Sequence, residues 1–127
     1  MKTYGPYSPV IKSGHLYFVS GQIGVDPESG DTPADVSSQT SQVMCNIEAA
    51  LSRFDLGMDN IVKTTIYVTD MADFGKVNEI YEGFFADPKP ARATVAVKEL
   101  PRVAKRPLLV EIEAVASDHK RTDDEQE

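Results

Sequence analysis

Apolar residues recur along this chain in two helical stripes separated by short alternating runs. Between Ala34 and Phe54, the residues Val36, Val43, Met44, Ile47, Ala50, Leu51 and Phe54 fall at helical spacing with Ser, Gln and Glu opposite, so one face of a helix is made for a core. Thr32-Pro33 or Asp35 can start this helix, and Gly57 can stop it. In the second stripe Met71, Phe74, Val77, Tyr81, Phe84 and Phe85 share a face, Asp70 or Asp73 can cap it, and Pro88 with Pro90 ends the run.

Strands follow from a shorter period. Leu16 to Val19 is a compact apolar run with aromatic and β-branched members, closed by Ser20-Gly21; Ser13-Gly14 is a turn that joins it to a short strand at Val10 and Ile11. Ahead of them Gly5-Pro6-Tyr7-Ser8-Pro9 is extended, because each proline fixes its own φ and restricts the residue before it. Asp26 to Asp31 has turn chemistry throughout and reads as a surface loop. From Ile61 to Thr69 the residues Val62, Thr64, Ile66 and Val68 alternate with Lys63, Thr65 and Tyr67, and Ala93 to Val97 and Leu108 to Ala116 supply the last strands. Helical crossovers favour parallel neighbours, while strands adjacent elsewhere pair antiparallel. The expected class is α+β: a mixed β-sheet with two helices packed on one face.

The last strand is the most informative. Val110, Ile112, Ala114 and Ala116 fall on one face, and Leu109, Glu111, Glu113 and Val115 on the other. If helices cover the first face, the second carries carboxylates among apolar residues, joined either by Thr94 and Ala96 or by Ala93, Val95 and Val97 from the strand before. A half-apolar outer face of this kind usually meets another subunit.

Composition narrows the setting. The 127 residues are 41% hydrophobic and 26% charged, which suits one folded domain, assigned to residues 1–116. Ser117 to Glu127 has no large apolar residue and is read as an acidic, fraying tail. The single cysteine, Cys45, cannot form an intrachain disulfide, and with His15 and His119 alone the chain lacks a conventional zinc-ligand spacing. A reducing, cytoplasmic location is expected, with no signal-like start and no run long enough to span a membrane. The net charge of -7 opposes nucleic-acid binding.

Candidate chemistry rests on few groups. A carboxylate such as Glu111, held on a partly desolvated sheet face, has a raised pKa and suits a base or a water-orienting group, although outward Glu residues are most often simply solvated. Arg92, after Pro90-Ala91, carries a fork that can grip a carboxylate. Arg102, Lys105 and Arg106 read as a solvated loop, His15 as a turn residue with no acid nearby in sequence, and Cys45 as a small core residue. No phosphate loop, nucleophile elbow or metal-ligand spacing occurs in the sequence, so neither a cofactor nor a metal is indicated.

Taken together, Gly5-Pro6-Tyr7-Ser8, Ser20-Gly21-Gln22, Gln39 with Asn46-Ile47, Val62 to Thr65 with Asp70-Met71, Asp73-Phe74 with Val77-Asn78, Tyr81 with Phe84-Phe85, Pro90-Ala91-Arg92 and Glu111 to Ala114 resemble the RidA family, also called YjgF/YER057c/UK114, in order from Gly5 to Ala116. The resemblance implies a chorismate-mutase-like α+β protomer, a homotrimer with clefts between neighbours, and cofactor-free hydrolysis of 2-iminopropanoate and 2-iminobutanoate, formed from enamines, to 2-oxo acids and ammonia. It assigns Arg92 to the substrate carboxylate and Glu111 to the attacking water. Thr94 would offer its backbone carbonyl where many members have cysteine, Tyr7, Ser20, Gly21 and Asn78 would line the cleft, and Glu113 would be structural. The segment from Phe85 to Pro90 is shorter, and that from Arg102 to Val110 longer, than the family's habit, which points to an altered cleft rim. Two other functions stay open: a regulatory trimer that binds a small carboxylate without catalysis, and an RNA-cleaving translation inhibitor, which the acidic charge, the lack of a base-stacking patch and the expected lack of paired histidines oppose.

Overall fold

The computed structural model describes residues 3–122. Strands β1 (Val10–Ser13) and β2 (Leu16–Ile23) form a hairpin, followed by helix α1 (Val36–Ser52), strand β3 (Ile61–Val68), helix α2 (Phe74–Glu82), strand β4 (Ala91–Ala96) and strand β5 (Val110–Ser117). The five strands make one sheet in the order β1-β2-β5-β3-β4. β3 and β4 are parallel, with α2 as their crossover, and every other neighbouring pair is antiparallel. The mixed sheet with two helices expected from the sequence is what the chain adopts.

Both helices lie over one sheet face because their apolar stripes meet the same set of strand residues. Val43, Met44, Ile47, Ala50 and Leu51 of α1 and Val77 and Tyr81 of α2 are buried against Ile66, Val68, Val110, Ile112, Ala114 and Ala116. Burying such side chains stabilises the fold by about 1.5–3 kcal/mol each. Two buried amides then tie the helix layer to the loops. Gln39 donates to the carbonyls of Pro33 (2.9 Å) and Pro107 (3.0 Å) and accepts from the Leu109 amide at 2.8 Å; Asn46 donates to the carbonyls of Ile23 and Val25, both at 3.0 Å. These two members of the family-like pattern are therefore structural.

Several boundaries differ from the sequence reading. Asp35 is the N-cap of α1, accepting from the Ser38 amide at 2.9 Å, but the chain reverses at Asp55 (φ 60) and not at Gly57. A short-side-chain acid tolerates the left-handed region that bulkier residues avoid. The second stripe breaks at a 3₁₀ turn, Met71–Asp73, capped by Asp70; Met71 and Phe74 remain exposed while Val77, Tyr81 and Phe85 go inside. In β3 the register slips between Ile61 and Lys63, so Ile61 is buried in place of Val62.

The segment expected to fray from Ser117 is held in its first part. Ser117 closes β5, and the Arg121 guanidinium donates to the carbonyls of Met58 (2.8 Å), Ile61 (3.2 Å), Ala86 (3.0 Å) and Pro88. Residues 123–127 of that segment lie outside the described residues. Among the described residues no helix is long and apolar enough to cross a membrane.

Candidate functional site

The sheet face away from the helices is not an ordinary wet surface. β5 shows Glu111, Glu113 and Val115 there, and its register places Tyr67, Thr65 and Lys63 of β3 beside them in that order. Ile11 of β1, Phe18 of β2 and Val115 of β5 form a row across three strands, with Ile11 54% and Phe18 45% exposed. The parallel pairing of β3 with β4 brings Ala93 and Val95 to the same face, which decides the alternative that the strand pattern left open.

Glu111 sits at the upper end of this face, where a cleft of about 370 Å³ is lined by Tyr7, Ser20, Gly21, Glu111 and Glu113, with Pro101 and Val103 on its rim. The opening segment is folded over it: the Tyr7 hydroxyl accepts from the Tyr4 amide at 3.3 Å, and the Ser20 hydroxyl donates to the Ser8 carbonyl at 2.6 Å. Gly21 has a steric reason. A Cβ there would collide with Glu111 Oε2, so only glycine leaves the carboxylate its place. Burial, and after it the neighbouring Glu113, raises the Glu111 pKa above its ordinary 4.5. Among the described residues its carboxylate has no hydrogen-bond donor or cation as partner.

Arg92 lies elsewhere. It pairs in β4 with Thr64 of β3, a residue of the helix-covered face, so its side chain leaves the sheet on the side opposite Glu111. Its guanidinium carbon is 5.1 Å from the Tyr81 ring centre and 5.5 Å from that of Phe74. The Tyr81 hydroxyl is in turn bonded to Thr64 Oγ1 at 2.7 Å. A shallow pocket of about 290 Å³ holds Arg92 with Asn78, Tyr81, Glu82, Lys89 and Pro90. Among the described residues no oxygen accepts a hydrogen bond from the Arg92 guanidinium, which leaves the fork open to a planar anion. Thr94, two residues on and on the same face, has a buried Oγ1 without a hydrogen-bond partner.

The seven residues singled out from the sequence thus fall into two groups. Tyr7, Ser20, Gly21 and Glu111 share one cleft; Arg92 and Asn78 share another, with Thr94 on the same face as Arg92. One protomer does not bring Arg92 and Glu111 together, because a sheet stands between them. The sequence reading missed Phe74 and Tyr81 as the clamp on Arg92, since both fit a core stripe and nothing in their spacing separates a ring that packs from one that stacks on a cation. Glu113, read as structural, lines the Glu111 cleft.

Comparison with known proteins agrees with this architecture. The model of the Endoribonuclease L-PSP family matches residues 1–118. A RutC family protein of Pyrococcus horikoshii is 43% identical, covering 91% of this chain and 89% of its own. The 2-iminobutanoate/2-iminopropanoate deaminase of Escherichia coli K12 is 42% identical over 88% of this chain and 87% of its own length. The crystal structure of RidA from an Antarctic Psychrobacter superposes with a TM-score of 0.85 at 34% identity, covering 91% of each chain. With the fold, the motif order and these matches in agreement, the chain belongs to the Endoribonuclease L-PSP family, the RidA/YjgF proteins.

Proposed function

We propose that this protein hydrolyses small 2-imino acids to 2-oxo acids and ammonia, in sites that take Glu111 from one protomer and Arg92 from its neighbour in a homotrimer. One observation carries the reading: a desolvated carboxylate and a guanidinium, neither of which meets an oppositely charged group among the described residues, lie on opposite faces of one sheet. Neither half suffices for a substrate only a few atoms long. Juxtaposing two copies unites them, and the exposed Ile11, Phe18 and Val95 around the outer face are the kind of surface that a second copy covers. The 42% identity to a protein named as an imine deaminase supports the substrate class.

The chemistry needs the substrate and water. Arg92 binds the substrate carboxylate through two parallel hydrogen bonds and, stacked on Tyr81 and Phe74, holds it in one orientation. Glu111 accepts a proton from a water whose oxygen bonds to C2 of the protonated imine, while the C=N π electrons move to nitrogen. The resulting carbinolamine takes a proton on nitrogen, the C–N bond breaks, ammonia leaves, and the hydroxyl proton is released as the 2-oxo acid forms. Thr94 on the edge strand β4 offers a backbone carbonyl to the imine or the water, and Asn78, Tyr7, Ser20 and Gly21 shape the walls.

Mixing two inactive variants tests the shared site. Arg92→Ala and Glu111→Gln proteins, each slow alone, are unfolded together and reassembled. In random trimers about a quarter of the interfaces then pair an intact Glu111 with an intact Arg92, and imine hydrolysis, followed by semicarbazide trapping of imine released from threonine by a dehydratase, returns to that fraction. No recovery in well-assembled mixtures defeats the shared site; near-normal activity of Arg92→Ala alone defeats the assignment altogether.

A further inference from the structure

At the other end of the sheet the fold gathers two histidines and an acid that the sequence keeps apart. His15 follows the positive-φ Gly14 of the β1–β2 turn, while Asp118 and His119 follow β5. The Asp118 amide donates to the His15 carbonyl at 3.0 Å, one rung beyond the Leu16–Ser117 pair, so the ladder itself sets these residues opposite each other. His15 Nδ1 is 2.9 Å from Asp118 Oδ1, His119 Nε2 is 3.6 Å from the same oxygen, and the two rings stand edge to face at 4.8 Å. All three ligand atoms lie within 4.8 Å of one another.

We infer that His15, Asp118 and His119 form a binding site for a divalent first-row transition metal, zinc being the reference case, outside the proposed catalytic cleft. The donor set is the first argument. Two imidazoles and one carboxylate favour zinc, cobalt, nickel or copper over calcium and magnesium, which prefer all-oxygen cages. Spacing is the second. Donors about 2.0–2.1 Å from a tetrahedral zinc stand roughly 3.3 Å apart, and the two histidine–carboxylate separations of 2.9 and 3.6 Å bracket that value. Both rings are exposed, so little packing resists the side-chain rotations that closing on an ion requires.

Support behind the ligands is the third argument, because a site with loose backbone spends its binding energy on ordering. The His119 amide donates to Ser117 Oγ at 3.1 Å. Two residues further on, Arg121 is bound to four backbone carbonyls, in the turn before β3, at the first residue of β3 and in the loop before β4. His119 is therefore bracketed between the end of a central strand and an anchored side chain. The nearest cation along the chain, Lys120, is turned away to Asp59 at 3.0 Å, and so does not occupy the acid. Three protein ligands leave a fourth position for water or an outside ligand. The site stands seven residues along β5 from Glu111, roughly 23 Å at the rise of a strand, so its metal would clip the β1–β2 turn to the chain beyond β5 and take no part in imine hydrolysis.

The test uses untagged full-length protein with zinc or cobalt alone as the probe. Calorimetry of the wild type gives one zinc per protomer with micromolar affinity, and cobalt gives the visible absorption of a four-coordinate ion. His15→Ala, His119→Ala and Asp118→Asn each weaken binding at least tenfold, zinc raises the thermal midpoint of the wild type and leaves that of the His15→Ala/His119→Ala protein unmoved, and imine hydrolysis is unchanged in all of them. A chain ending at Thr122 keeps the affinity, which separates the cluster from the acidic residues that follow. Equal titrations of the wild type and the double variant, loss of binding on that truncation with the histidine variants silent, or an octahedral, water-rich cobalt spectrum would each overturn the site.

Discussion

The Glu111 half and the Arg92 half of the candidate site solve opposite physical problems. Glu111 is a charge made uncomfortable: it lies in a cleft under the opening segment, next to a second carboxylate, and Gly21 is hollowed to admit it. Arg92 is a charge made comfortable: it rests against two aromatic rings on the helix side of an edge strand, its fork still open. A reactive base benefits from desolvation, whereas a binding group benefits from a fixed direction and full charge. Placing them on different faces lets one small domain provide both environments, and in the proposed trimer the two groups meet only across the seam between protomers.

That contrast can be broken from each side. The largest effect is expected for Arg92→Ala, which removes about 2–5 kcal/mol of substrate and transition-state binding and is read as a fall in kcat/KM for imine hydrolysis. Glu111→Gln follows, with kcat down about a hundredfold for loss of a positioned base and KM little changed, since Arg92 still holds the carboxylate. Gly21→Ala sharpens the comparison: the new methyl displaces the Glu111 carboxylate, so kcat falls about tenfold while binding of a 2-oxo acid product, measured calorimetrically, survives. Phe74→Ala is the gentlest change on the Arg92 side. Losing one cation–π contact costs about 0.5–1 kcal/mol, and KM rises a few-fold with kcat nearly intact.

The pH dependence of stability distinguishes the halves again. Folded Glu111 binds its proton more tightly than the unfolded chain does, so its contribution is complete below the ordinary 4.5 and is lost as pH rises from there through the raised folded value. Above that window the ionised carboxylate destabilises the fold. Glu111→Gln is therefore expected to unfold at a higher denaturant concentration than the wild type at about pH 7 and at the same concentration at about pH 3.

Much of the fold was legible because burial in this chain follows simple periods. Val110, Ile112, Ala114 and Ala116 alternate on β5, and Val43, Met44, Ile47, Ala50 and Leu51 make a continuous stripe on α1, so pattern and packing coincide. Where local chemistry had near-equivalent choices, pattern was a weaker guide: Asp55 took the positive φ in place of Gly57, and the slip after Ile61 moved Val62 off the core. The candidate site residues came one by one from the family-like motifs. Their division between two faces was not legible, since the face on which Arg92 emerges depends on the register of β4 against β3, and no residue within β4 announces that register.

The chain by itself determined its two helices, the alternation that turns Glu111 and Glu113 to the outer sheet face, and the presence of an arginine and an acid of the kinds the proposed chemistry uses. Those properties arise from neighbours three to four residues apart on helices and two apart on strands, and such separations are written directly in the order of side chains. Tertiary structure alone decided that Arg92 would stack on Phe74 and Tyr81 behind the sheet, and that Asp118, 103 residues from its partner, would meet His15. Contacts of that kind depend on which strands become neighbours and in what register, a choice the whole core makes at once.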